Sequence, residues 1–318
     1  MTTSPNIATL KTQQPVRKPY SYTRDVFRRL FRSPSARLGF VISVIIVVLS
    51  LAIPVLDYNF DATKNTPKNR YSAPDCLIGV INGTVASSEM TCDYPMGTDK
   101  NGRSIMRRVG HGMYVSLFAG VLSVALSLTI GTTIGLVAGY VSGISDSVLM
   151  RLMDIILAFP SLLLAIALVA VAGQSLINGM FAVAITQIPI YARLARSMAI
   201  SIRNTEYVMA ARSTGASDIA IIVRHVLPNS LAPLIVQTTL GLGTAVVETA
   251  ALGFLGLGQQ PPYPELGKML ADSQESLLSG KWWVMLFPGV TIIFMVLGFN
   301  LLGDGLRDAL DPRLRGTD

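Results

Sequence analysis

Charged side chains are scarce in this sequence. Asp, Glu, Lys and Arg make up 14% of its 318 residues, where a soluble domain carries about 25%. Histidine occurs only at His111 and His225, and neither H-E-x-x-H nor G-x-S-x-G is present. An intramembrane hydrolase would therefore lack its machinery, and no metal or cofactor is expected. Aromatic residues are 7% of the chain, with no basic stripe interleaved among them. The net charge of +7 thus does not describe a nucleic-acid surface. Apolar residues, by contrast, are abundant at 51%. Lipid is the solvent that suits such a chain, and the unit of organisation is a span of about 20 residues.

Six apolar segments can be read, at about 38–56, 113–137, 148–172, 176–192, 232–257 and 284–302. The first, LGFVISVIIVVLSLAIPVL, is uncharged and crosses the hydrocarbon core at about 1.5 Å per residue. It lies too far along the chain for a signal peptide, so it is expected to be retained. Eight of the 26 Lys+Arg fall in the first 37 residues, against one acid, Asp25. Arg193, Arg196, Arg203, Arg212 and Arg224 lie between the fourth and fifth segments. Basic flanks stay on the cytoplasmic side. An even number of spans then brings the C-terminal tail inside as well. The expectation is an all-α integral membrane protein with six transmembrane helices, N-in and C-in. Residues 1–37 are a cytoplasmic basic tail, in which Phe27, Leu30 and Phe31 sit at helical spacing among arginines and predict an interfacial helix. Residues 38–56 are the first span, 57–112 an extracytoplasmic loop, 113–304 the membrane core and 305–318 a cytoplasmic tail.

One stretch of the outer loop, GTDKNGRS at 97–104, is one residue from a phosphate-binding loop. It faces away from cytosolic ATP, no strand pattern precedes it, and Arg103 replaces the lysine. D-x-N-G also lacks the remaining acids of a calcium loop. It reads as a Gly-rich turn leading into the second span. Cys76 and Cys92 share this loop, and an oxidising compartment favours a disulfide between them over two free thiols.

The longest polar stretch on the cytoplasmic side is RSMAISIRNTEYVMAARSTGASDIAIIVRHVLPNSLAP. Thr205 is positioned to cap a helix through Ala211, and Gly215 supplies a positive φ past its end. Ser217 caps a second helix, in which Ile219, Ile222, Val223 and Val226 form an apolar stripe that Pro228 ends. An ordinary amphipathic connector would show the same periodicity. The exact residues resemble the signature of ABC-importer permeases: Met209-Ala210-Ala211, Gly215 four residues on, and Leu227-Pro228. Met209 stands where that pattern has an acid, His225 where it has an aliphatic residue, and Glu206 lies one turn earlier. GTDKNGR, MRLMDIILAFPSLLLA, AALGFLGLGQQPPYPELGKML and FNLLGDGLRDALDPR resemble the dipeptide/oligopeptide/nickel branch of this family, in its C-type permease subunit. The likeness runs from about Phe27 to Arg315, and the cysteine pair is not part of it.

The resemblance implies a type I ABC importer permease fold in a bacterial inner membrane, without ATPase activity of its own. Its implied partners are a second permease subunit, two ATP-binding subunits and an extracytoplasmic solute-binding protein. It further implies that a coupling loop at 196–230 seats on an ATPase subunit, with Glu206, Met209, Ala210, Ala211, Gly215, Asp218, Arg224, Leu227 and Pro228 as its residues. Inside the membrane, Gly131, Gly135 and Gly139 offer a small-residue face, Arg151 and Asp154 are spaced for an i,i+3 ion pair, and Pro160 predicts a kink. Glu248, ionisable and within a span, either lines the translocation pathway or makes a structural hydrogen bond. Peptides, nickel and other small solutes share this scaffold, and six spans would also permit a self-contained transporter or channel. Such a transporter leaves the two-helix loop unexplained.

Overall fold

Pro34 starts the first helix, α1 (Pro34–Leu56), four residues before the apolar run begins, because proline is preset for a first helical turn. The computed structural model describes residues 28, 30–31, 33–74 and 94–310. Phe27, Cys76 and Cys92 lie outside the described residues. The helices that follow are α2 (Ile105–Val141), α3 (Ile144–Leu157), α4 (Ser161–Ala172), α5 (Leu176–Arg203), α6 (Glu206–Ser213) and α7 (Asp218–Ile221). A π-helical turn (Ile222–Val226) joins α7 to α8 (Leu227–Phe254), and α9 (Leu266–Asp272), α10 (Gln274–Leu278) and α11 (Trp283–Leu310) complete the chain. The described residues hold no strand beyond a single bridge between Thr98 and Ser104.

Four helical runs are long and apolar enough to cross a membrane: α1, α2, the run Asp218–Phe254, and α11. The pair α3 and α4 makes five if its two halves are one span. The segment expected as a further span at 176–192 is helical, as the start of α5, but Asn178, Gln187 and the arginines from 193 onward dilute its apolar content. Pro160 does more than kink the third segment. The helix stops at Leu157, resumes at Ser161, and turns by 90° between.

The second segment also departs from expectation. Its helix begins at Ile105, because GTDKNGRS folds into the turn that launches it. Asp99 accepts the Asn101 and Arg103 N–H groups at 2.9 Å and the Arg103 Nε at 2.7 Å. Gly97 and Gly102 adopt φ of 74° and 73°. Trp283 Nε1 donates to the Thr98 carbonyl at 3.3 Å, so the turn is bound to the start of α11. The stretch is the Gly-rich turn expected before the second segment, held in addition to α11.

Close approach of α2 and α5 depends on the expected glycine face. A Cβ on Gly135 would lie 2.1 Å from the Ala192 carbonyl oxygen, and one on Gly139 would lie 2.5 Å from that of Arg196. Small residues also join α1 to α11: a Cβ on Gly305 would fall 2.3 Å from Ala36 Cβ, and Gly39 abuts Leu301 and Leu302. The expected Arg151–Asp154 pair is not made. Asp154 instead takes Arg193 Nη2 at 2.7 Å, which α5 brings across from the neighbouring helix.

One end of the bundle gathers the start of α1 with the close of α11 (Leu30, Ala36, Ala309). A cleft of about 450 Å³, lined among others by Leu194, Ala232, Arg307 and Leu310, brings the last part of α5 and the first turns of α8 to that same end. At the opposite end, Arg107 pairs with Asp57 and Ser116 donates to Glu265 at 3.3 Å.

Candidate functional site

The helix pair α6–α7 projects from the bundle between α5 and α8. Glu206 opens α6 in its first turn, where an acid is favoured by the helix dipole. Thr205 does not cap it: its hydroxyl donates back to the Ile202 carbonyl at 2.7 Å, the oxygen that also accepts the Thr205 N–H at 3.0 Å. The far end of α6 is closed as expected. Gly215 has φ +86°, its N–H reaches the Arg212 carbonyl at 3.0 Å, and the Ala216 N–H reaches Ala211 at 3.1 Å. That pair of bonds is a Schellman cap, which requires a left-handed residue at this position. Ser217 accepts from the Ala220 N–H at 3.4 Å and opens α7.

Half of the predicted stripe is buried: Val226 and Ile222 pack inward, and Ile219 and Val223 do not. Val208, Ile221 and Val226 enter a cluster with Leu136, Tyr140, Ala195, Ala199 and Ile202, while Ile219 (76%) and Val223 are exposed. The π turn explains the difference. Leu227 N–H bonds to the Ile222 carbonyl, five residues back, so Ile221 and Val226 share a face that a 3.6-residue period separates. Pro228 does not end the helix either. It sits in the first turn of α8, where a missing N–H costs nothing, and the helix runs on to Phe254.

Of the residues expected in this loop, Met209 and Ala210 are exposed, Ala211 is half-buried, and Asp218, Arg224 and Pro228 face solvent. Leu227 is half-buried against the cluster. Tyr207, Met209, Ile219 and Val223 therefore leave a set of large apolar side chains uncovered. Sequence reasoning missed the group that holds the pair in place. Tyr140, in the last turn of α2, accepts from Arg212 Nη2 at 2.8 Å and donates to Asp218 Oδ1 at 3.0 Å. The Arg212 guanidinium lies 5.4 Å over the same ring. Arg203 donates to the Gly139 carbonyl at 3.1 Å and also to Ser142 Oγ. These groups border a cleft of about 380 Å³. Nothing local in the sequence marks Tyr140, which is 72 positions from Arg212.

Glu248 is buried within the chain's own bundle, with Ser161 of α4 and Gln187 and Thr186 of α5 as its neighbours. Its Oε2 and the Gln187 Nε2 have no hydrogen-bond partner among the described residues. At the end of the bundle away from α6–α7, Glu265, another residue the sequence reading did not single out, accepts the Gly267 and Lys268 N–H groups at 2.8 Å each. Burial pushes its carboxyl up to about 6. Among the described residues no group of three His, Cys, Asp or Glu is arranged to hold a metal ion.

Comparison with known proteins follows this geometry. Residues 131–316 match the family described as binding-protein-dependent transport system inner membrane component. Residues 21–74 match the N-terminal TM domain of oligopeptide transport permease C. The dipeptide transport system permease protein DppC of Alkalihalophilus pseudofirmus is 44% identical over 99% of this chain and 97% of its own length. The Escherichia coli protein of that name is 52% identical over 69% and 73%, and the di/tripeptide permease of Pseudomonas aeruginosa 50% over 70% and 73%. Among solved structures, a chain of the MetNI methionine ABC transporter aligns with a TM-score of 0.54 at 19% identity, over 65% of this chain and 98% of that one. At that identity the likeness concerns the fold.

Proposed function

This chain belongs to the family of binding-protein-dependent transport system inner membrane components, and from that membership we propose that it is the C-type permease subunit of an ATP-driven importer of di- or oligopeptides. The observation that carries the reading is the pair α6–α7. It packs one face on the bundle and leaves Tyr207, Met209, Ile219 and Val223 uncovered, and an ATPase subunit would bury that apolar surface. Ala210 and the Gly215 turn let a partner backbone come close, and Met209 offers an adaptable apolar contact where the family pattern has an acid. Glu206, Asp218 and Arg224 form the polar border of this contact, Ala211 backs it from its half-buried position, and Leu227-Pro228 starts the helix that carries its motion into the membrane.

In this reading the protein hydrolyses no ATP. Hydrolysis belongs to two ATP-binding subunits, a second permease subunit completes the pathway, and a solute-binding protein delivers peptide from outside. The multi-pass chain sits in a bacterial inner membrane with six spans, counting α3–α4 as one and α5 as another. The end holding α6–α7 is cytoplasmic, as the arginines around it and in the basic tail favour. Residues 57–112 are then outside, where Cys76 and Cys92 form a bridge. Glu248 lies at the inner wall of the pathway half that this chain builds.

Gly215→Val tests the reading. A Cβ there meets nothing within 4 Å, so the substitution acts through backbone strain alone, roughly 1–3 kcal/mol at a left-handed position. The spans are still expected to insert. Co-purification of the ATPase subunits and uptake of dipeptide into vesicles are expected to fall at least tenfold. Arg224→Glu is expected to weaken both less, because an exposed charge contributes about 1 kcal/mol or less. Unchanged co-purification and uptake with Gly215→Val would end the coupling reading.

A further inference from the structure

We propose that Tyr140 is the joint through which the pair α6–α7 moves the membrane helices. It is a positioning residue that acts on α2 rather than on solute. The inference rests on the coupling role proposed above. Tyr140 is 4% exposed in the last turn of α2, and its single hydroxyl holds both helices of the pair, accepting from Arg212 of α6 and donating to Asp218 of α7. Besides the Arg212 guanidinium over the Tyr140 ring, the pair meets α2 through apolar contacts, Val208 and Ile221 against Leu136 and that ring. Apolar contacts are non-directional and permit sliding, whereas two hydrogen bonds to one oxygen fix where the pair stands along α2.

Beyond the joint the structure is stiff. Gly131, Gly135 and Gly139 seat α2 directly on the backbone of α5, and Arg203 ties the end of α5 to the Gly139 carbonyl. A displacement delivered to Tyr140 is therefore carried by α2 and α5 together. The covalent routes leave the pair at both ends, back through Asn204 and Thr205 into α5 and on from α7 through the π turn into α8. With these and the Tyr140 contact intact, one push on the loop reaches three membrane helices at once. Without the Tyr140 hydroxyl the pair stays tethered to α5 and α8 and packed on Leu136, but its position along α2 is no longer fixed. Arg212 and Asp218 side chains are 58% and 69% exposed, so their bonds contribute little to folding and their loss should leave the chain intact.

The test uses the complete transporter in vesicles, with a labelled dipeptide that the wild-type complex imports. Tyr140→Phe keeps the ring and its packing. The complex is expected to assemble and to hydrolyse ATP within twofold of wild type, while peptide imported per ATP falls fivefold or more. Arg212→Gln is expected to lower the same ratio and should not add to the effect once combined with Tyr140→Phe. A wild-type ratio in Tyr140→Phe would overturn the joint. So would parallel loss of assembly and ATP turnover in both variants, the mark of a purely structural contact. Gly215→Val separates the two levels. If it uncouples the complex while Tyr140→Phe does not, only the joint fails; if it too has no effect, the loop's role fails with it.

Discussion

A carboxyl group sealed away from water favours its proton, and Glu265 makes that a measurable property of this protein. It is 2% exposed, and burial outweighs the Gly267 and Lys268 N–H groups and the Ser116 hydroxyl that favour the charge. The folded chain therefore keeps a proton up to about pH 6, while the unfolded chain releases it near 4.5. Between those values the folded state binds more protons, so stability falls as pH rises through the window, by roughly 2 kcal/mol, and levels off above it. Thermal unfolding in detergent at pH 4.5 and pH 7 should show this slope, and Glu265→Gln should flatten it. A slope unchanged in the variant would assign the effect to another group. The sequence is legible at this scale where the chemistry is local. Gly215 and Ser217 were readable because a helix end needs a left-handed residue and a helix start needs an acceptor. Tyr140 was not, because its partners lie more than 70 positions away, and Glu265, though it caps α9 locally, is also held by the distant Ser116 of α2.

Helices are the level at which small residues matter most. A methyl group on Gly135 would meet the Ala192 carbonyl at 2.1 Å, and neither helix backbone has room to yield. Gly135→Ala should therefore destabilise the protein by about 1–3 kcal/mol, in the range of overpacked cores. Gly179→Ala, on the partner helix α5 and with only Leu252 Cδ1 at 3.8 Å, should be neutral or mildly stabilising. Melting temperatures of the two variants in the same detergent decide it, and equal values would mean that α2 and α5 are not in backbone contact. The spacing of three glycines was enough to predict this face. The two prolines were harder. Pro160 marks where the third segment breaks, but the 90° turn depends on what α4 packs against. Pro228 reads as a terminator unless the π turn before it is known, and that turn also puts Ile221 beside the expected Val226 on the buried face in place of Ile219 and Val223.

At the scale of the whole molecule, the six-helix alternation and its direction make a prediction that labelling can check. In a chain with Cys76 and Cys92 replaced by serine, Lys64→Cys should react with an impermeant maleimide in intact cells, and Ser217→Cys only after the membrane is opened. The reverse pattern would invert the topology. Apolar run length made the long helices legible; the number of spans is less so, since α5 carries Gln187 and other polar residues into the bundle. The seam between α1 and α11 has a further consequence, in the order of synthesis. Ala36, Gly39, Ser43, Ile46 and Ser50 form the buried side of α1, and the helix they fit begins only at Trp283. About 250 residues must be translated in between, some 12–50 s at roughly 5–20 residues per second. Throughout that interval the first helix stands in the bilayer with its seam open to lipid. Ser50 bridges the wait by donating to its own Val47 carbonyl at 2.9 Å, so the nascent helix carries part of its polar seam already satisfied before its neighbour leaves the ribosome.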